Sequence, residues 1–371
     1  MHSLIASPFL EDHLLVRPGA RGGFMLPAHR YEELRAHDGA GSGPAWLVDA
    51  VRGQWPDLDP TGPLGGYLLV RRPSAWGYSR ASWEINLGCN YKCKHCYLGL
   101  KVNSGMPLAD KLQCLQIMAE AGVLWLQITG GEPTVDKDFI ASYRAAYSLG
   151  MMITVSTNAS LLWRQNLLDL FRECPPYRVT VSMYGATKAS YDELTQRQGA
   201  WDVFVQGMNA ARRARLPLRM SVIVTEDNAA EEQSMIDLCQ GWGLEYNVFT
   251  NMTPTIYGGA ESLTAQSKEH LRLRKPFGGC NAGHTFFHTD PHGLVSICKI
   301  GRDDQISLPS EGIDGLARLG AIADRLMLRT GGCTGCQLSG TCTVCRPLAK
   351  HYQEAKAPLG SYCQHGIKKA G

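Results

Sequence analysis

The alternation of short apolar runs with helical patterns between Trp83 and Thr250 constrains this chain more than any other feature. "SWEINLG", "VLWLQIT", "MMITVST", "YRVTVSMYG", "LPLRMSVIVT" and "EYNVFT" each read as a strand that is almost continuously apolar. Between them lie amphipathic patterns: "LADKLQCLQIMAEAG", closing at Gly122, then stretches near 138–149, 163–173, 201–214 and 229–242. Apolar strands separated by helices predict a parallel sheet covered by helices. Six such units make an α/β fold of the partial, TIM-like (β/α)6 kind and are too few for a closed eight-stranded barrel. An open barrel leaves a lateral mouth wide enough for a large substrate.

Polar and glycine-rich motifs fall just after these strands. A cysteine loop follows the first, "TGGEP" the second, "STN" ends the third and "SMYG" the fourth. The carboxyl edge of an α/β sheet is where sites are built, so their agreement on one edge outweighs any one motif. The flanks differ from this core. Residues 1–78 read as a small α+β unit: a hairpin in "HLLVRPGARGGFMLP", helices in "AHRYEELRAH" and "AWLVDAVRGQW", and a strand in "GYLLVRR". The core is expected over 79–257. Residues 258–371 look loop-rich, with too few large apolar residues to fold on burial alone, so metal is expected to hold them.

The chain has 371 residues, enough for more than one domain, and 13 cysteines that demand an explanation. No stretch of eighteen apolar residues exists, and the opening "MHSLIASPFLEDHLLVRPG" lacks a basic segment followed by an apolar one. A soluble cytoplasmic protein is therefore expected, with no membrane partner and reduced thiols. The net charge of +3 leaves no basic excess of the size nucleic acid requires. The cysteines cluster. Cys89, Cys93 and Cys96 form one group, and Cys280, Cys298, Cys333, Cys336, Cys342, Cys345 and Cys363 form another, while Cys114, Cys174 and Cys239 sit in helical patterns as core residues.

Three thiols in one loop are one short of a closed structural zinc site, although His95 stands beside Cys96 as a possible fourth ligand. Cubane iron–sulfur clusters are held by thiolates at short spacings, and three of them leave one iron open. Cys-x3-Cys-x2-Cys after the first strand resembles the signature of the radical S-adenosylmethionine (SAM) superfamily, and the likeness runs on for about 170 residues. "GGEP" (Gly130, Gly131, Glu132, Pro133) is similar to the family loop that takes the SAM amino group. "STN" (Ser156, Thr157, Asn158) matches the strand end that contacts the ribose or carboxylate. Ser182 begins "SMYG", and Arg197 in the segment after it matches the family's arginine for the SAM carboxylate. One departure is His95, where the family usually has an aromatic residue.

The second group, with Cys333-x2-Cys336-x5-Cys342-x2-Cys345, leaves a zinc ribbon open but has a short central gap and too many thiols for one zinc. It resembles the SPASM domain, an extension of radical SAM maturases that carries auxiliary clusters, although the family usually has three residues in the last pair. The resemblance implies one [4Fe–4S] cluster on Cys333, Cys336, Cys342 and Cys363. A second would sit on Cys280, Cys298 and Cys345, with His284, His288 or His292 as candidate further ligands. Three [4Fe–4S] clusters and SAM are thus the implied cofactors.

By the same resemblance, the expected activity is reductive cleavage of SAM to a 5′-deoxyadenosyl radical, followed by hydrogen abstraction from a ribosomally made precursor peptide. An oxidative product such as a cross-link is expected, with a flavodoxin- or ferredoxin-like electron donor. Tyr184, Thr250, Asn251 and Tyr257 are the expected substrate-side residues, and residues 1–78 a candidate leader-peptide binder acting at a sheet edge. Formylglycine formation is disfavoured because Lys299 follows Cys298, where the maturases that perform it carry an acid. Two alternatives stand: the same chemistry on a carbohydrate or aminoglycoside-type small molecule, and a non-catalytic iron–sulfur or zinc protein.

Overall fold

The computed structural model describes residues 2–271, 280–326, 336–337, 344–363 and 365; Cys333 and Cys342 lie outside the described residues. In the N-terminal unit β1 (Leu4–Phe9), β2 (Asp12–Val16) and β3 (Gly23–Leu26) pair antiparallel. Helices α1 (Ala28–Ala36), α2 (Ala45–Gln54) and α3 (Leu64–Tyr67) follow, and β4 (Leu68–Val70) returns parallel to β1. Strand order is β3-β2-β1-β4. Strand β1 was not among the expected elements because Pro8 interrupts its pattern. Pro8 is tolerated because β4 pairs only with Leu4, Ile5 and Ala6, which leaves the missing Pro8 donor outside that ladder. Prolines also stand before α1, α2 and α3 (Pro27, Pro44, Pro63), where first-turn N–H groups have no intrahelical acceptor to lose.

The core elements follow in the expected order. They are β5 (Arg80–Glu84), α4 (Leu108–Glu120), β6 (Trp125–Thr129), α5 (Phe139–Ser148), β7 (Met152–Thr157), α6 (Gln165–Glu173), β8 (Arg178–Met183), α7 (Lys188–Thr195), α8 (Ala200–Arg213), β9 (Leu218–Ile223), α9 (Glu232–Gly241) and β10 (Glu245–Phe249). The six strands pair in parallel in chain order, giving a partial TIM-like barrel. The layer between its strands and the covering helices is filled by Trp83, Ile128, Val155, Val181 and Val222, all without solvent exposure. Helix α7 was not expected. It starts at Thr187, whose side chain caps Ser190 N–H, within the segment read only for its arginine.

The C-terminal region departs from the loop-rich expectation. β11 (Phe286–Thr289) adds to the barrel in parallel with β5, and β12 (Leu294–Ser296) and β13 (Ile306–Ser307) extend the sheet antiparallel to nine strands. Helices α10 (Leu308–Glu311), α11 (Leu319–Leu326) and α12 (Arg346–Glu354) follow. Phe287, Val295, Ile306, Leu308 and Leu319 are buried in the same hydrophobic core as the barrel, so apolar burial contributes to holding these elements. The expected division at 257/258 is accordingly not a division of the sheet or of the core.

The N-terminal unit sits at the amino ends of the barrel strands. Ile5 and Val16 pack with Leu124 and Met152, just before β6 and at the start of β7, flanked by Phe9, Trp125 and Tyr177. Arg71 is buried and donates to the carbonyls of Val123 (2.9 Å) and Ala119 (3.3 Å) and to Ser7 Oγ (3.2 Å). The opposite, carboxyl end therefore stays clear for chemistry.

Candidate functional site

The loop of Cys89, Cys93 and Cys96 leaves the carboxyl end of β5 and is fixed from below by the "GGEP" segment. Gly131 N–H donates to Asn86 O (3.1 Å) and Glu132 N–H to Gly88 O (2.9 Å). Both glycines are dictated by this contact: Gly130 has φ +136°, and a Cβ on Gly131 would stand 2.1 Å from Gly88 O. Glu132 has no solvent exposure. Its carboxylate accepts from Thr134 N–H (3.1 Å), Thr134 Oγ1 (2.5 Å), Thr157 Oγ1 (2.7 Å) and Asn158 N–H (2.7 Å). Burial holds this carboxyl above its ordinary range, with the hydrogen bonds pulling the other way. The side chain thus clamps the second and third strand ends together, and the backbone of the loop is what faces outward for a cofactor. Behind it Lys111, itself buried, bridges Asp136 (2.7 Å) and Asp138 (3.2 Å).

The cysteine loop is tied to the third strand end as well. Asn158 Nδ2 donates to Asn90 Oδ1 (2.8 Å) and Asn90 Nδ2 to Ser160 Oγ (2.7 Å). Arg197 reaches over the same loop, donating to Asn90 O (3.0 Å) with its guanidinium 5.5 Å from the centre of the Tyr91 ring. Ser156 accepts from Gln127 (2.7 Å), and Ser182 bonds Tyr184 at the end of β8. The structure thus brings Gly130, Gly131, Glu132, Pro133, Ser156, Thr157, Asn158, Ser182 and Arg197 to one edge around the three thiols.

Burial, the Glu132 charge and the Cys96 thiol push Cys89 up to about 12, and burial with the Cys96 and Cys89 thiols pushes Cys93 well above its ordinary value. Loading a metal centre here must therefore release protons. Tyr91 N–H points at Cys89 Sγ (3.4 Å), and a cavity of about 590 Å³ opens against Cys93 and Cys96. His95 lies against Tyr184 (ring centres 5.2 Å), and its Nδ1 is buried with no partner among the described residues. Among the described residues no three His, Cys, Asp or Glu side chains converge on a single ion. Three mutually coupled thiols beside a cavity fit a polynuclear cluster, whose several irons stand between the thiolates.

In the C-terminal region, Ala282 N–H points at Cys280 Sγ (3.3 Å) and Gly301 N–H at Cys298 Sγ (3.2 Å). Cys280 is close enough for its charge to raise the Cys298 thiol, alongside the larger effect of burial. Cys345 stands at the N-terminus of α12, and Cys363 N–H bonds Leu359 O (2.9 Å). Cys336 is exposed. The three candidate histidine ligands have other partners: His284 meets Asp324 (3.0 Å), His292 meets Ser104 (3.0 Å), and His288 is bonded to Ser82 (2.8 Å) inside the barrel. Cys114, Cys174 and Cys239 are buried, as expected.

Inside the mouth, between the two thiol regions, lies a polar network that sequence reading missed. Glu84, at the end of β5, has no solvent exposure. Its carboxylate accepts from Tyr97 OH (3.1 Å), Tyr257 OH (3.0 Å) and both Arg302 amino groups (2.9 and 3.3 Å), with His288 Nε2 at 3.5 Å. Arg302 also bonds Tyr257 OH and His288 Nε2 (3.1 Å). Burial pulls the Glu84 pKa up, but His288 and Arg302 together hold it well below the carboxylate range. Burial pushes His288 down to about 4 and lowers Lys299. The available signal was a lone acid in an apolar strand, "SWEINLG". Of the expected substrate-side residues, Tyr257 enters this network. Tyr184 instead packs behind the cysteine loop on His95 and Tyr191, and Thr250, which donates to Asn251 (2.9 Å), is held by Gln266 through its carbonyl.

A partial barrel with a thiol loop at its carboxyl edge and a polar cofactor cradle defines a cofactor-dependent enzyme. Residues 83–239 match the model of the Radical SAM superfamily, so the chain carries a radical SAM domain over that span, for which the family implies a [4Fe–4S] cluster and SAM. It is 24% identical to the AdoMet-dependent heme synthase of Oleidesulfovibrio alaskensis over 69% of this chain and 68% of that protein. It is 25% identical to the sporulation killing factor maturation protein SkfB of Bacillus subtilis over 57% of this chain and 48% of that one. The chain thus spans from about half to two-thirds of these curated relatives. Its fold matches Streptococcus suis SuiB bound to the precursor peptide SuiA, with TM-score 0.59 and 14% identity over 88% of this chain and 90% of SuiB. No helix among the described residues is long and apolar enough to cross a membrane.

Proposed function

We propose that this chain modifies a ribosomally made peptide by radical chemistry, removing hydrogen from it to leave an oxidised product such as a cross-link. The observation that carries this is the thiol loop of Cys89, Cys93 and Cys96, tied by Asn90, Asn158 and the Gly130–Gly131 backbone to one cofactor cradle. When bound, the cluster and SAM supply a 5′-deoxyadenosyl radical that takes a hydrogen atom from the substrate. The protein's tasks are positioning and exclusion of water. The Gly131 backbone receives the SAM amino group, Asn158 and Ser156 the ribose, and Arg197 the carboxylate. Glu132 keeps this edge rigid without touching the cofactor.

Cys280, Cys298 and Cys345 are assigned to one auxiliary cluster, and Cys333, Cys336, Cys342 and Cys363 to another, in a SPASM domain over 258–371. The N–H groups directed at Cys280 and Cys298 support the first assignment, since such bonds favour the thiolate. These centres would accept the electron that the substrate radical loses after the hydrogen atom is taken, and a flavodoxin- or ferredoxin-like donor would supply the separate electron that cleaves SAM. A cytoplasmic setting suits such reduced chemistry. Residues 1–78 are read as a leader-binding unit, with β3 as an open strand edge on which Met25 is exposed. The maturation role of SkfB and the peptide bound to SuiB favour a peptide substrate. A small molecule is the second reading, favoured by the larger share of this chain aligned with the heme synthase.

The test is anaerobic reconstitution with iron, sulfide, SAM and dithionite. A short peptide encoded beside the gene is supplied intact and without its N-terminal half. 5′-Deoxyadenosine should appear, together with loss of hydrogen mass from the intact peptide alone. Absence of 5′-deoxyadenosine from the cluster-loaded chain refutes the radical reading. Equal modification of the truncated peptide removes the leader assignment.

A further inference from the structure

The stretch after β10 crosses the exit of the thiol loop and binds it through the main chain. Ile256 N–H donates to Tyr97 O (2.8 Å) and Tyr257 N–H to Leu98 O (3.3 Å). The two segments pass so closely that a Cβ on Gly99 would stand 1.9 Å from Gly258 O. Gly99 N–H donates to Cys96 O (3.0 Å), so this crossing bears directly on the third thiol.

The C-terminal region holds the same stretch from its other side. Tyr352 on α12 is buried and donates to Met252 O, and His351 Nε2 meets Pro254 O (3.0 Å). Arg302, in the turn that follows Cys298, donates to Tyr257 OH. It also closes its own turn, since its Nε donates to Lys299 O (2.6 Å). One carboxylate collects all three segments: Glu84 accepts from Tyr97 OH (3.1 Å), Tyr257 OH (3.0 Å) and Arg302 (2.9 Å). Glu84 is fully buried and ends β5, the strand from which the thiol loop leaves. A buried carboxylate whose donors come from separate segments fixes those segments against one another, because losing any donor leaves charge buried and unpartnered.

We propose that Glu84 is a positioning residue for SAM. It registers the thiol loop against the stretch after β10 and the turn at Cys298, and this register sets how tightly the cradle binds its cofactor. Glu84, Tyr257 and Arg302 are not part of that cradle, which is built from the Gly131 backbone, Ser156, Asn158 and Arg197. The idea rests on the cradle reading above and adds that the C-terminal region tunes it.

Equilibrium dialysis of radiolabelled SAM against the anaerobically reconstituted full chain tests this without turnover. At iron content matching the parent chain, Arg302→Gln and Tyr97→Phe should each weaken SAM about fivefold to tenfold, as expected for partners that orient a metal's ligands. Both act through Glu84, so the double variant should bind no more weakly than the weaker single variant. Arg302→Lys should recover part of the loss. If Arg302→Gln loses iron, Tyr257→Phe replaces it in the cycle, since that change removes one hydroxyl and keeps the ring. A network that only stabilises the fold would lower the denaturation midpoint and leave SAM affinity unchanged. That result, or losses that multiply in the double variant, overturns the proposal. A parent chain that binds no SAM at full iron refutes the cradle reading and this one with it, whereas a binding parent with unaffected variants refutes this one alone.

Discussion

The two ends of the barrel are built from the same strands and solve opposite problems. At the amino end, Ile5, Val16, Leu124 and Met152 seal the interior with hydrocarbon, and the buried cation Arg71 is satisfied by two carbonyl oxygens and the Ser7 hydroxyl. At the carboxyl end the interior is polar: Glu84, His288 and Glu132 lie within the sheet edge without solvent exposure. Apolar burial gains about 25 cal/mol per Å², whereas each buried ion needs a partner with good geometry. The contrast places partnered buried charge at one end and hydrocarbon sealing at the other. It also says that residues 1–78 cannot simply be removed to test leader binding, because Leu124 and Met152 would be laid bare.

The largest effect should come from the polar end. Glu84→Gln keeps the volume but leaves Arg302 without its counter-charge, which is expected to cost about 3–5 kcal/mol. Chemical denaturation measures it, and a loss below about 1 kcal/mol would show that the network is not a stabilising unit. The pH dependence supplies a second reading. His288 is held down to about 4, so the stability it contributes is complete above its ordinary value near 6.5 and is lost as pH falls through about 4. Glu84 is held well below the carboxylate range, so its contribution is present above about 4.3 and is lost in more acid solution. Glu132, raised by burial, runs the other way: its share is present below the ordinary carboxylate value and lost above its raised one. The Gln variant should therefore flatten the acid limb while leaving the His288 share above about pH 4.

This contrast between the ends was partly legible in the residues. The six parallel strands were readable because each is a short, mostly apolar run set between helical patterns, and the thiol loop and "GGEP" because they sit directly at strand ends. β11 to β13 were not readable, since strands of two to four residues such as "LVS" carry too little periodicity to register. The Glu84 network was hidden for a different reason. Its members come from β5, the cysteine loop, the stretch after β10, β11 and the stretch after Cys298, and only the parallel pairing of β11 with β5 brings them together. Tyr184, expected on the substrate side, packs on His95 and Tyr191, because a strand end says that a side chain is near a site, and not which side of the loop it supports.

A smaller effect is expected from the apolar end, and it separates the two roles. Leu124→Ala removes a fully buried side chain from the seat of the N-terminal unit and should cost about 3 kcal/mol. The reconstituted variant should bind the same iron and give the same reduced-cluster electron paramagnetic resonance spectrum, because nothing at the carboxyl end depends on that contact. A changed spectrum would mean that the amino end sets the geometry of the thiol loop, and the division of labour would fall.

The smallest effect belongs to the ionic contact across the rim of this seat. Arg21 reaches Glu245 on β10 at 2.6 Å, but both side chains are at least half exposed. Exposed pairs contribute about 0–1 kcal/mol and are screened by salt, because water competes for both charges and two long side chains must be held still. Arg21→Ala should therefore shift the denaturation midpoint barely at all, and the shift should vanish at high ionic strength while the Leu124→Ala loss persists. If Arg21→Ala matched Leu124→Ala in size, or kept its effect in salt, the N-terminal unit would be held by charge at its rim instead of by the Ile5, Val16, Leu124 and Met152 contact.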